Sequence, residues 1–137
     1  MSQSVTPYLT VKGAAEAIAF YQKAFGATEN MRMPAQDGQR LLHADLSLNG
    51  GQVFLSDEFS DQGGPAAPQA DRPSPMAVSL AFDKPAQVDA TFAQAVSAGA
   101  RSLMEPADQF WGARFAMITD PFGYRWMLNA PLSQTAG

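Results

Sequence analysis

The alternation of apolar and polar positions in the first half of the chain predicts a strand, a helix and then several strands. Residues 9–27 begin with a short alternating run and continue with apolar side chains at helical spacing. The predicted apolar stripe, which leaves Phe20 outside it, consists of Ala14, Ala17, Ile18, Tyr21 and Phe25. Gly26 follows as the left-handed residue that commonly ends a helix. Strand-like runs then occupy 28–33, 41–48 and 52–57.

The second half of the chain repeats this order of elements. A helix is predicted to begin with Pro85 in its first turn and to end at Gly99. Its apolar face consists of Val88, Phe92, Ala95 and Val96, and the strand-like runs after it are 101–105, 113–119 and 124–129. The last strands of the two halves align with Phe54 opposite Trp126 and Leu55 opposite Met127. The sequence therefore predicts an α+β fold made of two βαβββ modules, a degenerate internal repeat.

A segment rich in glycine and proline separates the two halves. It is too interrupted for a helix or a central strand, and connections of this length are usually functional or mobile. A mobile flap over a binding cleft and a plain surface connection are both compatible with it. The expected organisation is a single domain with module one at 5–58, a linker or lid at 59–75, module two at 76–130 and a short tail at 131–137.

The composition excludes several classes of protein. A chain of 137 residues with 46% hydrophobic and 16% charged residues suits one globular domain, and no apolar run is long enough for a membrane span. The absence of cysteine excludes disulfides, thiolate metal sites and cysteine nucleophiles. A net charge of −4 with scattered basic residues argues against nucleic-acid partners. No secretion signal is visible, so we expect a cytoplasmic protein without a membrane partner.

Several short motifs resemble one protein family. The segment Trp111-Gly-Ala-Arg114 precedes Asp120-Pro-Phe-Gly-Tyr-Arg-Trp-Met127, and further matching runs lie at 7–11, 17–27, 43–46 and 108–112. Together they resemble the PhnB-like branch of the glyoxalase/bleomycin resistance/dioxygenase, or vicinal oxygen chelate, superfamily over residues 7–129. The resemblance implies paired half-barrels that enclose one pocket lined by both modules. It also implies a homodimer, because many relatives dimerise.

The resemblance also locates the four strand positions at which metal-using relatives carry His or Glu ligands. In this chain those positions hold Thr6, Leu55, Ala77 and Met127. None of these side chains is a competent ligand for a hard divalent cation, so we expect no metal and no cofactor. A metal held instead by Asp57, His43 and Asp45 is an alternative that lacks further convergent donors.

The only histidine, His43, lies in the alternating run 41–48, which has one apolar and one polar face. The turn that follows allows two registers. A three-residue loop would place His43 beside Asp57 on the expected pocket face, whereas a two-residue Asn-Gly turn would pair Leu42 with Asp57 and send His43 to the opposite face. In the first register Asp57 would orient His43 as a general base. The alternative is a strand histidine with a structural hydrogen bond.

The candidate ligand-binding residues come from both modules. Relatives line the mouth of the pocket at the positions of Gln109, Phe110, Trp111 and Arg114, where rings and a guanidinium would suit a planar or carboxylate-bearing ligand. Core packing of Trp111 and a surface ion pair at Arg114 are the alternatives. The remaining candidates are Tyr8, Leu55, Arg125 and Met127, while Phe54 and Trp126 are expected in the core.

The sequence favours metal-independent binding of a small organic molecule in a pocket between the modules. One alternative is a glyoxalase-like lyase or isomerase acting beside a carbonyl, with His43 as base and Arg114 or Gln109 stabilising an enolate oxygen. Another is a structural dimerisation module whose cleft has collapsed.

Overall fold

The computed structural model describes residues 3–69 and 71–133, so the last residues of the expected tail, 134–137, lie outside the described part. The chain divides into two compact units, Met1–Pro68 and Gln69–Gly137. None of the helices in the described residues has the length and apolar character needed to cross a membrane.

The first unit is a four-stranded mixed sheet with one helix. Its elements are β1 (Tyr8–Val11), α1 (Ala14–Phe25), β2 (Thr28–Pro34), β3 (Leu41–Leu48) and β4 (Gly51–Asp57). The strand order is β1-β4-β3-β2, with β1 parallel to β4 and the other neighbours antiparallel. Helix α1 buries most of its predicted stripe, and it also buries Phe20, whose ring meets Tyr21 edge to face at 5.5 Å. Burial on α1 therefore extends beyond the predicted stripe to Phe20.

The second unit has the same order of elements. They are β5 (Ala77–Ala81), α2 (Pro85–Ala98), β6 (Arg101–Asp108), β7 (Ala113–Thr119) and β8 (Arg125–Pro131). Their order in the sheet is β5-β8-β7-β6, again with one parallel pair, β5 with β8. Of its predicted face, α2 buries Val88 and Ala95 but leaves Val96 exposed. The predicted α+β fold of two βαβββ modules is confirmed.

The sheet of the first unit has a helix side, which packs against α1, and an opposite side that we call the open face. On the helix side, against α1, lie the buried residues Ala44, Leu46, Leu48, Val53, Leu55 and Asp57. The open face carries the alternate residues Tyr8, Thr10, His43, Asp45, Gln52 and Phe54. Leu55 is fully buried on the helix side, and its role in ligand binding stays a prediction.

The internal repeat differs from the expected alignment by one residue in the last strand. Leu55 pairs with Leu9 of β1, and Leu128 pairs with Leu80 of β5. Leu55 therefore corresponds to Leu128 and not to Met127. The cause is the connection between β7 and β8, which is longer than the turn between β3 and β4. Because side chains alternate between faces, a shift of one residue exchanges buried and open positions.

The start of the segment predicted as a linker or lid is tied to the first sheet. The Arg40 guanidinium bonds the Asp61 carboxylate at 2.9 Å and lies 4.3 Å from the centre of the Phe59 ring. The Glu58 carboxylate accepts a hydrogen bond from the Ala67 N–H at 2.7 Å. These contacts hold Phe59, Asp61 and Ala67 beside Arg40 and Glu58. A role as a lid stays a prediction.

Candidate functional site

The turn between β3 and β4 decides which residues share a face. Leu48 pairs with Gly51, so the loop contains only Asn49 and Gly50, both with positive φ (50° and 83°). Positive φ at both central residues is the requirement of the tight hairpin turn that Asn-Gly favours. Of the two registers left open by the sequence, the two-residue turn is the one that forms. His43 and Asp57 consequently lie on opposite faces, and their expected pairing is wrong.

Asp57 is a buried structural carboxylate. Its side chain is 5% exposed, and its Oδ1 accepts hydrogen bonds from the Gly13 and Ala14 N–H groups at 2.9 Å each. Its Oδ2 accepts one from the Leu41 N–H at 2.7 Å. A carboxylate at a helix start satisfies amides that have no partner within the helix. Asp57 therefore anchors the start of α1 to the sheet and does not orient His43.

The position of Asp57 also removes the alternative metal site formed with His43 and Asp45, because Asp57 lies on the other side of the sheet. Within residues 3–69 and 71–133, no group of three or more His, Asp or Glu side chains is arranged to hold a metal ion.

Three aromatic side chains form a cluster on the open face of the first sheet. The Tyr8 hydroxyl lies 2.7 Å from His43 Nδ1, and the centres of the two rings are 5.4 Å apart. The Phe54 ring meets the His43 ring edge to face at 5.1 Å and the Tyr8 ring at 6.0 Å. Tyr8 is 49% exposed, and the expectation that Phe54 belongs to the core is wrong. We call Tyr8, His43 and Phe54 the aromatic cluster.

The Tyr8–His43 hydrogen bond can form in two ways. If the phenol donates to Nδ1, Nε2 carries the imidazole hydrogen and is a donor. If Nδ1–H donates to the phenol oxygen, Nε2 keeps its lone pair and can accept a proton. The cluster can therefore offer a ligand either a donor or a base at Nε2.

Asp45 lies next to the aromatic cluster among polar neighbours. Its carboxylate accepts hydrogen bonds from Asn30 Nδ2 at 3.3 Å and from Gln52 Nε2 at 3.2 Å. A surface groove of about 440 Å³ begins at Gln52 and Ser47 and extends to Thr6. Sequence reasoning considered Asp45 only as a metal ligand, although its i, i+2 spacing from His43 already placed both on one face.

Arg114 forms two ion pairs with acidic side chains of its own unit. It shares the helix side of the second sheet with Ala116, and its Nε bonds Asp89 of α2 at 2.7 Å while Nη1 bonds Asp108 at 2.9 Å. The hydrogen bonds that the Arg114 guanidinium donates to Asp89 and to Asp108 raise the pKa of the guanidinium. The predicted surface ion pair forms, and a role of Arg114 in ligand binding stays a prediction.

The connection between β6 and β7 presents two exposed aromatic rings. Gln109 closes this turn, because its carbonyl accepts the Gly112 N–H at 3.0 Å. Phe110 is 96% exposed and Trp111 is 55% exposed, so Trp111 is not a core residue. The Trp111 ring packs edge to face against Phe115 at 5.8 Å. A role of Gln109, Phe110 and Trp111 in ligand binding stays a prediction.

Arg125 and Met127 lie on the side of β8 away from its buried residues Trp126 and Leu128. Arg125 donates from Nη2 to the Pro75 carbonyl at 2.6 Å, while its Nε is buried without a hydrogen-bond partner among the described residues. Both side chains are half-buried, and their role in ligand binding also stays a prediction.

The positions that hold metal in metal-using relatives do not fit a metal here. If Met127 marks the position in the second unit, the corrected alignment gives Phe54, rather than Leu55, as its counterpart in the first. With Thr6 and Ala77 the set comprises an aromatic ring, a thioether, a hydroxyl and a methyl group. A hard divalent cation requires carboxylate or imidazole donors, which this set lacks.

Comparison with known proteins agrees with this fold. The model of the glyoxalase/bleomycin resistance protein/dioxygenase superfamily matches residues 4–128. A protein of Mycobacterium bovis is 38% identical over 133 residues, which is 96% of this chain and 85% of that protein. The crystal structure of protein PA1353 from Pseudomonas aeruginosa is 26% identical, covers 96% of this chain and 100% of that one, and superposes with a TM-score of 0.77. A PhnB protein from Bacillus cereus shares the fold at 20% identity, with a TM-score of 0.70 over 96% of this chain and 100% of its own. The chain therefore belongs to the glyoxalase/bleomycin resistance protein/dioxygenase superfamily, and PhnB-like proteins are among its structural neighbours.

Proposed function

We propose that this chain binds a small organic molecule, without the help of a metal ion, on the open face of its first sheet. The observation that carries the proposal is the aromatic cluster, in which the Tyr8 hydroxyl and His43 Nδ1 are 2.7 Å apart beside Phe54. Rings that are partly exposed offer apolar area to a flat ligand, and the phenol and imidazole add directional hydrogen bonds. That both modules line one common pocket stays a prediction.

The metal-free part of the proposal depends on the residue types. Thr6, Phe54, Ala77 and Met127 occupy the positions where metal-using relatives carry His or Glu. Binding should therefore require no metal ion and should be insensitive to chelators.

Calorimetry with 2-naphthalenemethanol, a neutral flat alcohol, tests the proposal. We expect binding that is unchanged by EDTA and that weakens about ten-fold in Tyr8→Ala and in Phe54→Ala, since removing a ring contact costs on the order of 1 kcal/mol or more. Val96→Ala, which shortens an exposed apolar side chain on α2, is the matched control and should bind as the wild type does. Absence of binding, or equal binding by all variants, would refute the proposal.

A lyase or isomerase reaction beside a carbonyl is the second candidate, and the Tyr8–His43 hydrogen bond is the observation that favours it. With Nδ1–H held by the phenol oxygen, Nε2 would remove a proton from the carbon next to the carbonyl. Arg114 or Gln109 stays the predicted donor to the resulting enolate oxygen. The partner of His43 in this scheme is Tyr8, in place of the predicted Asp57.

Exchange of the methyl protons of 2-acetylnaphthalene in deuterium oxide, followed by NMR, tests this second candidate. Catalysed exchange that disappears in His43→Ala and persists in Tyr8→Phe at a reduced rate would support it. Equal exchange by wild type and His43→Ala would leave His43 a structural residue. If no naphthyl compound binds and sedimentation shows a stable dimer, the structural dimerisation module becomes the better explanation.

A further inference from the structure

We infer that the open face selects organic cations, in which a protonated amine accompanies a flat apolar ring. This inference rests on the proposed function and names the class of ligand for the same site. It follows from the charge and the arrangement of Asp45 relative to the aromatic cluster.

The Asp45 carboxylate has neutral neighbours. Its hydrogen-bond donors are the side-chain amides of Asn30 and Gln52, at 3.2 to 3.3 Å, and no basic side chain in the described residues forms an ion pair with it. The basic residues of the first unit are placed elsewhere: Lys23 in the last turn of α1, Lys12 at the cleft beside Glu58, Arg32 on Glu29, and Arg40 on Asp37 and Asp61. The negative charge on this face is therefore available to a ligand.

The sheet register places this charge next to the rings. Asp45 lies directly opposite Phe54 on the neighbouring strand, and Phe54 lies opposite Tyr8 on the next. Adjacent strands are about 4.8 Å apart, so a carboxylate and two rings form one row within reach of a small molecule. The face of an aromatic ring attracts a cation, and a carboxylate strengthens hydrogen bonds from an ammonium group. Both the rings and the carboxylate of this row therefore favour a positively charged ligand.

The surroundings of the row suit the apolar part of such a ligand. Met31 pairs with Asp45 and Met33 with His43 on the edge strand β2, and both methionines are exposed. Thioether side chains adapt to flat ligands and contact rings favourably. A groove of about 440 Å³ is lined by Ser47 and by Gln52, whose side-chain amide donates a hydrogen bond to Asp45.

Three naphthalenes that differ only in charge test the inference. Calorimetry at neutral pH and physiological salt compares 2-(aminomethyl)naphthalene, a cation, with neutral 2-naphthalenemethanol and anionic 2-naphthoate. We expect the cation to bind about ten-fold more tightly than the alcohol, and the anion more weakly than either. In Asp45→Asn, which keeps an oxygen acceptor for Asn30 and Gln52, the advantage of the cation should fall to about two-fold or less. Glu16→Gln removes the same charge from the exposed first turn of α1 and should keep the full advantage.

The outcomes distinguish failure of the proposed binding from failure of the inferred charge selectivity. If none of the three compounds binds, the proposed function fails, and the inference fails with it. If all three bind equally, or if Asp45→Asn keeps the ten-fold preference, the site binds flat molecules but the inferred charge selectivity is wrong. Equal loss of preference in Asp45→Asn and Glu16→Gln would also overturn it, because the selectivity would then reflect net charge alone.

Discussion

Replacing Asp57 by alanine should destabilise the first unit severely. The carboxylate is the acceptor for three backbone N–H groups, of which those of Ala14 and Leu41 are fully buried. Leaving a buried donor without an acceptor costs about 1–3 kcal/mol each, and the partly buried Gly13 amide adds less because water can reach it. The expected loss in the free energy of unfolding is therefore about 4 kcal/mol, a large fraction of the stability of a typical domain.

Asp57→Asn separates the contribution of the hydrogen bond from the Leu41 N–H from those of the Gly13 and Ala14 N–H groups. Its amide oxygen can still accept from Gly13 and Ala14, but its NH₂ group would then face the Leu41 N–H, so one donor is left unpaired. The cost should be about half that of Asp57→Ala.

Urea unfolding followed by far-ultraviolet circular dichroism measures both losses, with the exposed Glu16→Ala as a control expected to change stability by less than about 0.5 kcal/mol. Hydrogen exchange gives the local test, because the amides of Ala14 and Leu41 should exchange faster in Asp57→Ala. If Asp57→Ala loses less than about 1 kcal/mol, or if those two amides stay protected, the anchoring role assigned to Asp57 is wrong.

Three further predictions follow from other side chains. Asp120→Ala removes the acceptor of the buried Trp126 indole N–H and of two turn amides, so it should cost about 3 kcal/mol in urea unfolding and shift the Trp126 emission; a loss below about 1 kcal/mol would contradict this. Iodide should quench Trp111, which is 55% exposed, but not Trp126, so Trp111→Phe should abolish the quenchable fraction. Hydrogen bonds from the Arg40 backbone and side chain, and from the Gln39 backbone, lower the pKa of Asp37 from 3.8 to about 2. Because the pKa of Asp37 is lower in the folded than in the unfolded protein, the stabilisation exists above pH 3.8 and is lost as the pH falls towards 2. The melting temperatures of wild type and Asp37→Asn should therefore differ at neutral pH and converge in acid. A difference that stays constant with pH would refute the assignment.

The secondary structure was predictable because its signals are local. The apolar spacing in α1 and the glycines after both helices require no knowledge of distant residues, and Gly26 and Gly99 do adopt positive φ. Pro85 likewise begins α2 as its fixed φ and missing N–H suggest.

The faces of the strands were harder to predict because they depend on one turn. The sequence Asn49-Gly50-Gly51 permits loops of two or three residues, and the choice moves every side chain of β4 to the other face. This ambiguity accounts for the failed pairing of His43 with Asp57. The longer connection between β7 and β8 accounts for the one-residue shift in the alignment of the two modules, which replaces Leu55 by Phe54.

The ion-pair partner of Arg114 on α2 was hard to predict for a different reason. This partner, Asp89, lies far away in the sequence, and no periodic pattern identifies such a contact. Alternation with the buried Ala116 and Ile118 would nevertheless have assigned Arg114 to the helix side.

The two modules satisfy the backbone at the start of their helices in different ways, and this difference limits how far the modules can be interchanged. Ala14 begins α1 with an N–H that requires the Asp57 carboxylate, whereas α2 begins with Pro85, which has no N–H to satisfy. In the corrected alignment the counterpart of Asp57 is the buried Ala130, which can accept nothing through its side chain. An artificial protein built by duplicating the first module would therefore keep the pair of Asp57 with Ala14. One built by duplicating the second module would keep the pair of Ala130 with Pro85. A chimera that combined Ala14 with alanine in place of Asp57 would leave the Ala14 N–H buried without its acceptor. A chimera that combined Asp57 with proline in place of Ala14 would leave the buried carboxylate without one of its donors.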